Sequence, residues 1–398
     1  MVKIALLGLG TVGSGVAEVL QKNAASIEKK AGDALEIKYI LTRSDRPGSP
    51  WQDRIIHDFS IIEQDPEIRI VVECMGGVGA ALDYVRRALA ADKHVVTSNK
   101  ELVAEHGYQL MSTAREKNLN FLFEASVGGG IPILRPLTSC LAANDLTEIC
   151  GIINGTTNYI LTKMLREGLS YDQALRQAMD LGYAEADPTA DVEGHDACRK
   201  ICILAALTFG RHVYPRQVPT VGISSLTRQD TVFAQAAGYR LKLLGRAWRT
   251  EDDRVCIYVS PHLVAEDQQL AGVEDVFNGI VVKGDAIGEV LFYGRGAGKL
   301  PTASAVMGDV IDVVRHFDSR KSVDWLDGGD DFVADARQMP MQWYIRCPAD
   351  KAPPLEDLRP IRAQVPGEQA FLTGPLTWDQ VHQLGGEALL GCIPILSA

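Results

Sequence analysis

The chain is short of positive charge. Its 398 residues carry 40 lysines and arginines against 51 aspartates and glutamates, a formal net charge of −11. Binding a phosphate backbone needs a basic surface, so no nucleic-acid partner is expected. A local lysine pair can still bind a small anion on an acidic protein. Long apolar runs are also missing: no stretch reaches the ~18 residues of a membrane span, so no membrane partner is expected. The eight cysteines, Cys74, Cys140, Cys150, Cys198, Cys202, Cys256, Cys347 and Cys392, form no CxxC pair. They read as reduced, mostly buried thiols. The opening MVKIALLGLG runs straight into an apolar strand and lacks the regions of a secretory signal. The expected setting is the cytoplasm. Repeats and low-complexity tracts are absent.

With 46% hydrophobic and 23% charged residues, the chain can build ordinary globular cores. Its length suits two or three domains. Over residues 1–133, β-branched runs (KIALL, EIKYILTR, RIIHDFS, IRIVVEC, HVVTSNK, LNFLFEASV) alternate with helical segments. That rhythm predicts an α/β, Rossmann-like, doubly wound parallel sheet. Residues 134–299 change character. Helices (GTTNYILTKMLREG, YDQALRQAMDLGY, DACRKICILAALTFG) surround strand-like runs (LTEICGIIN, RVCIYVSPHL, NGIVVKG, EVLFYG), which predicts an α+β domain with an antiparallel sheet. PTASAVMGDVIDVVRHF, within about 300–318, reads as a further helix. Residues 335–398 hold several prolines with weak periodicity and read as a small C-terminal module.

Gly8-Leu9-Gly10-Thr11-Val12-Gly13 is a GxGxxG turn between a strand and a helix. Gly8 permits the tight turn, Gly10 lets the backbone approach a pyrophosphate, and Gly13 lets helix and strand pack closely. The helix N-terminus then offers N–H groups and a favourable dipole. The second strand ends Leu41-Thr42-Arg43-Ser44-Asp45-Arg46. Arg43 and Ser44, assisted by Arg46, suit a 2′-phosphate better than a diol, whereas Asp45 argues for the diol. NADP is therefore favoured, with NAD left open.

Lys100, in Thr97-Ser98-Asn99-Lys100, follows a strand whose carboxyl end should face the ligand crevice. Glu185, Asp187, Asp191, Glu193 and Asp196 crowd one loop ahead of Arg199 and Lys200. Asp196 and Lys200 stand four apart at the start of an apolar helix, hence on one face. Burial lowers a lysine pKa and carboxylates raise it, a balance that suits a proton donor to a carbonyl oxygen. A solvated acidic loop with one helix salt bridge is the alternative reading. In Glu124-Ala125-Ser126-Val127-Gly128-Gly129-Gly130-Ile131-Pro132, a carboxylate and a curled glycine run suit either a hard cation or an interdomain hinge.

GLGTVGSGV, VVECMGG, VVTSNKELVA, FEASVGGGIPI, INGTTNYIL, LGYAEADPTADVEGHDACRK and GRGAGKLPTASAV together resemble the homoserine dehydrogenase family, in its order, across residues 4–315. The resemblance implies reversible NAD(P)-linked reduction of aspartate-4-semialdehyde to homoserine, in threonine, methionine and isoleucine biosynthesis. It makes Lys200 the catalytic lysine and Lys100 a second one near the nicotinamide. It assigns Glu185, Asp191 and Asp196 to the substrate. It assigns Gly8, Gly10, Thr11, Val12, Gly13, Arg43, Ser98, Lys100 and the late Gly298 to the cofactor. It implies a structural monovalent cation, sodium by preference, on Glu124 with the carbonyls of Val127, Gly129 and Ile131. The helix after Gly298 should rejoin the nucleotide domain, and the middle sheet should form a homodimer interface. Longer members end in an ACT domain. Here QWYIRCPADKAPPLEDL keeps a faint echo with proline in place of glycine at 353 or 354, so the tail is expected to be a reduced ACT-like remnant with weak or absent threonine inhibition. Two other readings are a cysteine-nucleophile semialdehyde or phosphate-ester dehydrogenase, resting on Cys74 or Cys198, and a nucleotide-sensing regulator.

Overall fold

The apolar runs of the first third become strands of one sheet in a computed structural model, which describes residues 1–319, 323–351, 353–355 and 357–397. They are β1 (Val2–Leu7), β2 (Leu35–Leu41), β3 (Ile55–Ile56), β4 (Ile68–Glu73), β5 (His94–Thr97) and β6 (Phe121–Leu122). Their order is β3-β2-β1-β4-β5-β6 and every pairing is parallel. The order reverses between β1 and β4, which opens a crevice at their carboxyl ends. Two runs yield less strand than the pattern suggests. RIIHDFS contributes two residues, and LNFLFEASV ends after Leu122 in a single turn over Glu124–Ser126. The first helix is two, Thr11–Lys22 and Ala24–Ala31, because Asn23 leaves helical geometry at φ −112, ψ 19.

The described residues divide into a first unit, within Met1–Ala143, Cys202–Tyr214 and Arg295–Asp327, and a second, within Asn144–Ile201, Pro215–Gly294 and Gly328–Ala398. The first is held by Ile4, Leu6, Ile70, Val72 and Val96 from the sheet, covered by Val16 and Leu20 and by Val306 and Val310 of the helix Lys299–Arg315. That helix approaches the first one closely. A Cβ at Gly15 would sit 2.7 Å from the Lys299 carbonyl oxygen, so only glycine fits there.

In the second unit, β7 (Leu146–Ile152), β8 (Tyr239–Arg249), β9 (Val255–Ala265), β10 (Phe277–Gly284), β11 (Gly288–Arg295) and β12 (Val333–Ala334) form a mixed sheet in the order β11-β10-β7-β8-β9-β12. Sequence reasoning missed β8, because Lys242 and Arg246 interrupt its apolar pattern. Both are buried. Arg246 Nε reaches Glu148 Oε1 at 2.7 Å, and Lys242 donates to the Val273 carbonyl and to Asn158 Oδ1. Burial lowers the Lys242 pKa to about 8.

The tail is more ordered than its weak periodicity implies. β13 (Trp343–Pro348), β14 (Arg359–Pro360), β15 (Glu368–Leu372) and β16 (Gly391–Pro394) form an antiparallel sheet in the order β14-β15-β13-β16, with a helix over Trp378–Gly385. The strand order is that of a βαββαβ arrangement, and between β13 and β14 no described residue is helical. Pro353 and Pro354 oppose a helix there. Trp343, Ile345 and Val381 form its core, and Arg346 bonds Asp230 and Glu368, each at 2.7 Å.

Candidate active site

The glycine turn lies at the β1 end of the crevice. Gly8 has φ +94, and a Cβ on it would meet the Cys74 carbonyl oxygen at 3.0 Å. A Cβ on Gly13 would lie 2.1 Å from the Gly8 carbonyl oxygen, while one on Gly10 meets nothing within 4 Å. Gly13 therefore closes the turn and Gly10 leaves room above it. Gly10 caps the helix Thr11–Lys22 without a side-chain hydrogen bond, so that helix start has no built-in acceptor to compete with an anion. A cavity of about 340 Å³ opens here. Its walls include Gly8, Gly10, Arg43, Ser44, Arg46 and His57. His57 went unnoticed in the sequence, where it looked like part of a strand. Its Nδ1 bonds the Thr42 carbonyl at 2.8 Å and its Nε2 lies 2.9 Å from Asp45 Oδ1. The Thr42 carbonyl and then Asp45 raise its pKa above the ordinary 6.5.

At the neighbouring strand ends, Glu73 and Thr97 are register partners on β4 and β5. Lys100 begins the helix Lys100–Glu116, whose N-cap is Asn99. Asn99 Oδ1 accepts from Leu102 N at 3.0 Å, and Asn99 Nδ2 donates to the Gly77 carbonyl at 2.7 Å. The Ser98 N–H donates to the Glu73 carbonyl at 3.1 Å. The Glu73 side chain is fully buried, accepts from Met75 N at 2.7 Å and accepts the Thr97 hydroxyl. Sequence reasoning missed Glu73, Thr97 and Asn99. The available signal was an acid closing the apolar run IRIVVE.

In the second unit, Lys200 and Asp196 are 7% and 4% exposed in the first turns of the helix His195–Phe209. Lys200 Nζ donates to Asp196 Oδ2 at 2.7 Å and to the Ile153 carbonyl at 2.8 Å. Asn154 completes the cluster: its Nδ2 reaches Asp196 Oδ2 at 2.8 Å and Asp191 Oδ1 at 2.7 Å. Its Oδ1 caps the helix Gly155–Arg166 through Thr157 N at 2.9 Å. INGTTN thus supplies both a cap and a bridge, the second of which the sequence did not disclose. Asp191, Asp196 and Lys200 come together. Glu185 stands apart on an exposed loop. The solvated-loop reading fails for Asp196 and Lys200, which are buried.

Around Glu124 the chain is tightly curled, with Gly128 at φ +74 and Gly129 at φ +53. The Glu124 carboxylate accepts three N–H groups, from Ile133 at 2.8 Å, Leu134 at 3.0 Å and Arg135 at 2.9 Å. Those bonds tie the carboxylate to the residues that follow the glycine run. No group of three or more His, Cys, Asp or Glu side chains among the described residues is arranged to hold a metal. Gly298, at φ +134, caps the helix Lys299–Arg315 in the first unit. Of the cysteines, all but Cys140 and Cys392 are buried. Burial pushes the Cys74 thiol well up, the opposite of what a nucleophile needs.

Residues 8–124 match the family described as homoserine dehydrogenase, NAD binding domain, and residues 132–311 match that described as homoserine dehydrogenase. The chain is 42% identical over 360 residues to the homoserine dehydrogenase of Pseudomonas aeruginosa, covering 88% of this chain and 83% of that one. It is 46% identical over 322 residues to that of Synechocystis, covering 79% and 73%. The crystal structure of a homoserine dehydrogenase from Thiobacillus denitrificans superposes with a TM-score of 0.88 at 36% identity, covering 100% of this chain and 98% of that one. A hyperthermophilic archaeal homoserine dehydrogenase in complex with NADPH gives 0.65 at 28% identity, covering 78% and 97%. These matches favour neither the cysteine-nucleophile nor the regulator reading. The chain belongs to the homoserine dehydrogenase family, the NAD(P)-dependent oxidoreductases that interconvert homoserine and aspartate-4-semialdehyde.

Proposed function

We propose that Lys200 moves the proton in this reaction. The observation that carries the proposal is its buried ammonium group, oriented by Asp196 and the Ile153 carbonyl. The nicotinamide, when bound, supplies or takes the hydride at the carbon. In the reducing direction, Lys200 Nζ gives a proton to the aldehyde oxygen, which becomes the hydroxyl of homoserine. In the oxidising direction the neutral amine takes that proton back. Asn154 holds Asp191 and Asp196 side by side. These acids, with Glu185, bind the substrate, by its ammonium group or by hydrogen bonds that orient it. Lys100 is the second lysine, near the nicotinamide. Gly8, Gly10, Thr11, Val12, Gly13, Ser98 and Gly298 hold the cofactor backbone.

NADP is the preferred cofactor. Arg43, Ser44, Arg46 and His57 on one cavity wall favour a 2′-phosphate, and Asp45 is engaged by His57. Glu124, with the carbonyls of Val127, Gly129 and Ile131, holds a monovalent cation, sodium by preference. The enzyme works as a cytoplasmic homodimer through its middle sheet, a reading favoured by the exposed Ile287 and Tyr293 on and beside β11. No helix among the described residues is long and apolar enough to cross a membrane. The test is homoserine oxidation with NADP and with NAD, for wild type beside Lys200→Ala. Loss of turnover with cofactor binding retained is expected. Full activity of Lys200→Ala would sink the mechanism.

A further inference from the structure

Glu73 is costly where it stands. It is 0% exposed at the end of a strand whose Ile70, Val71 and Val72 are equally buried. Desolvation raises its pKa, while hydrogen bonds from Thr97, Met75 and Asn99 act the other way. A buried carboxylate is weak evidence for stability, since an apolar side chain of similar size often serves a strand better. Its contacts run in two directions. Met75 N–H ties it to the turn after β4, where Cys74, Met75 and Gly76 line the cofactor cavity. The Thr97 hydroxyl ties it to the turn after β5. Thr97 Oγ1 in turn accepts the Asn99 N–H at 3.0 Å. Asn99 caps the Lys100 helix and reaches back to the Gly77 carbonyl. The links close a ring: Glu73, Thr97, Asn99, Gly77 and, along the chain, Met75. Lys100 is the next residue. The first turn of a helix disfavours a cation, so helix stability does not account for a lysine there.

We propose that Glu73 is a positioning residue, whose buried carboxylate locks the turn after β4 to the turn after β5 and so fixes Lys100 against the reacting end of the cofactor. The inference rests on the role given to Lys100 above, which Lys100→Ala tests separately.

The experiment compares Glu73→Gln, Thr97→Val, Thr97→Ser and the Glu73→Gln/Thr97→Val double variant in homoserine oxidation. NADPH binding is followed by fluorescence and unfolding by thermal melt. Misplacing a reacting group by an ångström costs on the order of 100-fold, so Glu73→Gln and Thr97→Val should each lower kcat roughly 10- to 100-fold. The KM for homoserine and NADPH affinity should stay near wild type. The double variant should be no slower than the slower single one, because both break the same bond. Thr97→Ser keeps the hydroxyl and should restore turnover. Glu73→Gln keeps the size of the side chain, so it should fold, which the thermal melt checks. If it does not fold, the two Thr97 variants decide alone. Wild-type kcat in Glu73→Gln and Thr97→Val, or a Thr97→Ser no better than Thr97→Val, overturns the proposal. If Lys100→Ala is inactive while these variants turn over normally, only the positioning role falls. If Lys100→Ala is fully active, the assignment of Lys100 falls first.

Discussion

Replacing Lys200 by methionine removes both a proton carrier and the cation from a buried carboxylate, and the two losses separate cleanly. Breaking a buried ion pair by deleting one partner typically costs about 3–5 kcal/mol. Asp196 Oδ2 keeps its bond from Asn154 Nδ2 at 2.8 Å, and hydrogen bonds to charged groups contribute about 1.5–3 kcal/mol, so the low end applies. At about 2–4 °C per kcal/mol for a unit of this size, Lys200→Met should lower the melting temperature by roughly 6–12 °C. Adding Asp196→Asn removes the stranded charge, and most of that loss should return. Activity should not. General acid–base catalysis is worth about 100- to 10,000-fold, and neither variant holds the proton carrier. The assay is NADP-linked homoserine oxidation well below the lower melting temperature, with NADPH binding measured in parallel. A double variant that regains turnover would show that the single variant lost stability rather than chemistry. A Lys200→Met enzyme that is both stable and active would refute the whole account.

Three further outcomes follow from the geometry. Because His57 has a raised pKa, its imidazolium persists above pH 6.5 and is lost as pH climbs through the raised value. The KM for NADP should therefore rise across that window while the KM for NAD stays flat. His57→Gln should abolish the difference and cost roughly two- to five-fold in NADP preference, the scale of an exposed charge pair. An unchanged pH profile in His57→Gln would dispose of its role. Gly13→Ala puts a Cβ 2.1 Å from the Gly8 carbonyl oxygen, so NADPH affinity should fall roughly ten-fold or more by fluorescence titration, and unaltered binding would count against the turn. Threonine should inhibit weakly or not at all in a titration, because no described residue between β13 and β14 is helical; strong inhibition would show that the tail binds an effector.

What could be read from the sequence was local. The glycine turn is a six-residue device whose strand and helix flank it directly. Asp196 and Lys200 are four apart on one helix, and that spacing alone placed them together. Asn154 was not legible as their bridge. It lies 42 residues before Asp196 in the chain, and only the fold brings them within 2.8 Å. Glu73 and Thr97 are 24 residues apart, and the register of two parallel strands sets that pair. Side chains also change meaning with their partners. Glu124 reads in the sequence as a cation ligand or a hinge residue, and the fold adds that its carboxylate accepts three backbone N–H groups. A charge in an apolar strand is the one long-range signal a sequence does offer, and position decides what it means. Lys242 and Arg246 lie mid-strand on β8 and are satisfied by neighbours in the same sheet and the adjoining helix and loop, which makes them part of the core. Glu73 closes its strand at the carboxyl end, where a parallel sheet binds its ligand. There a buried carboxyl has neighbours on two turns at once, and its cost is more easily explained by what those turns carry than by the strand it ends.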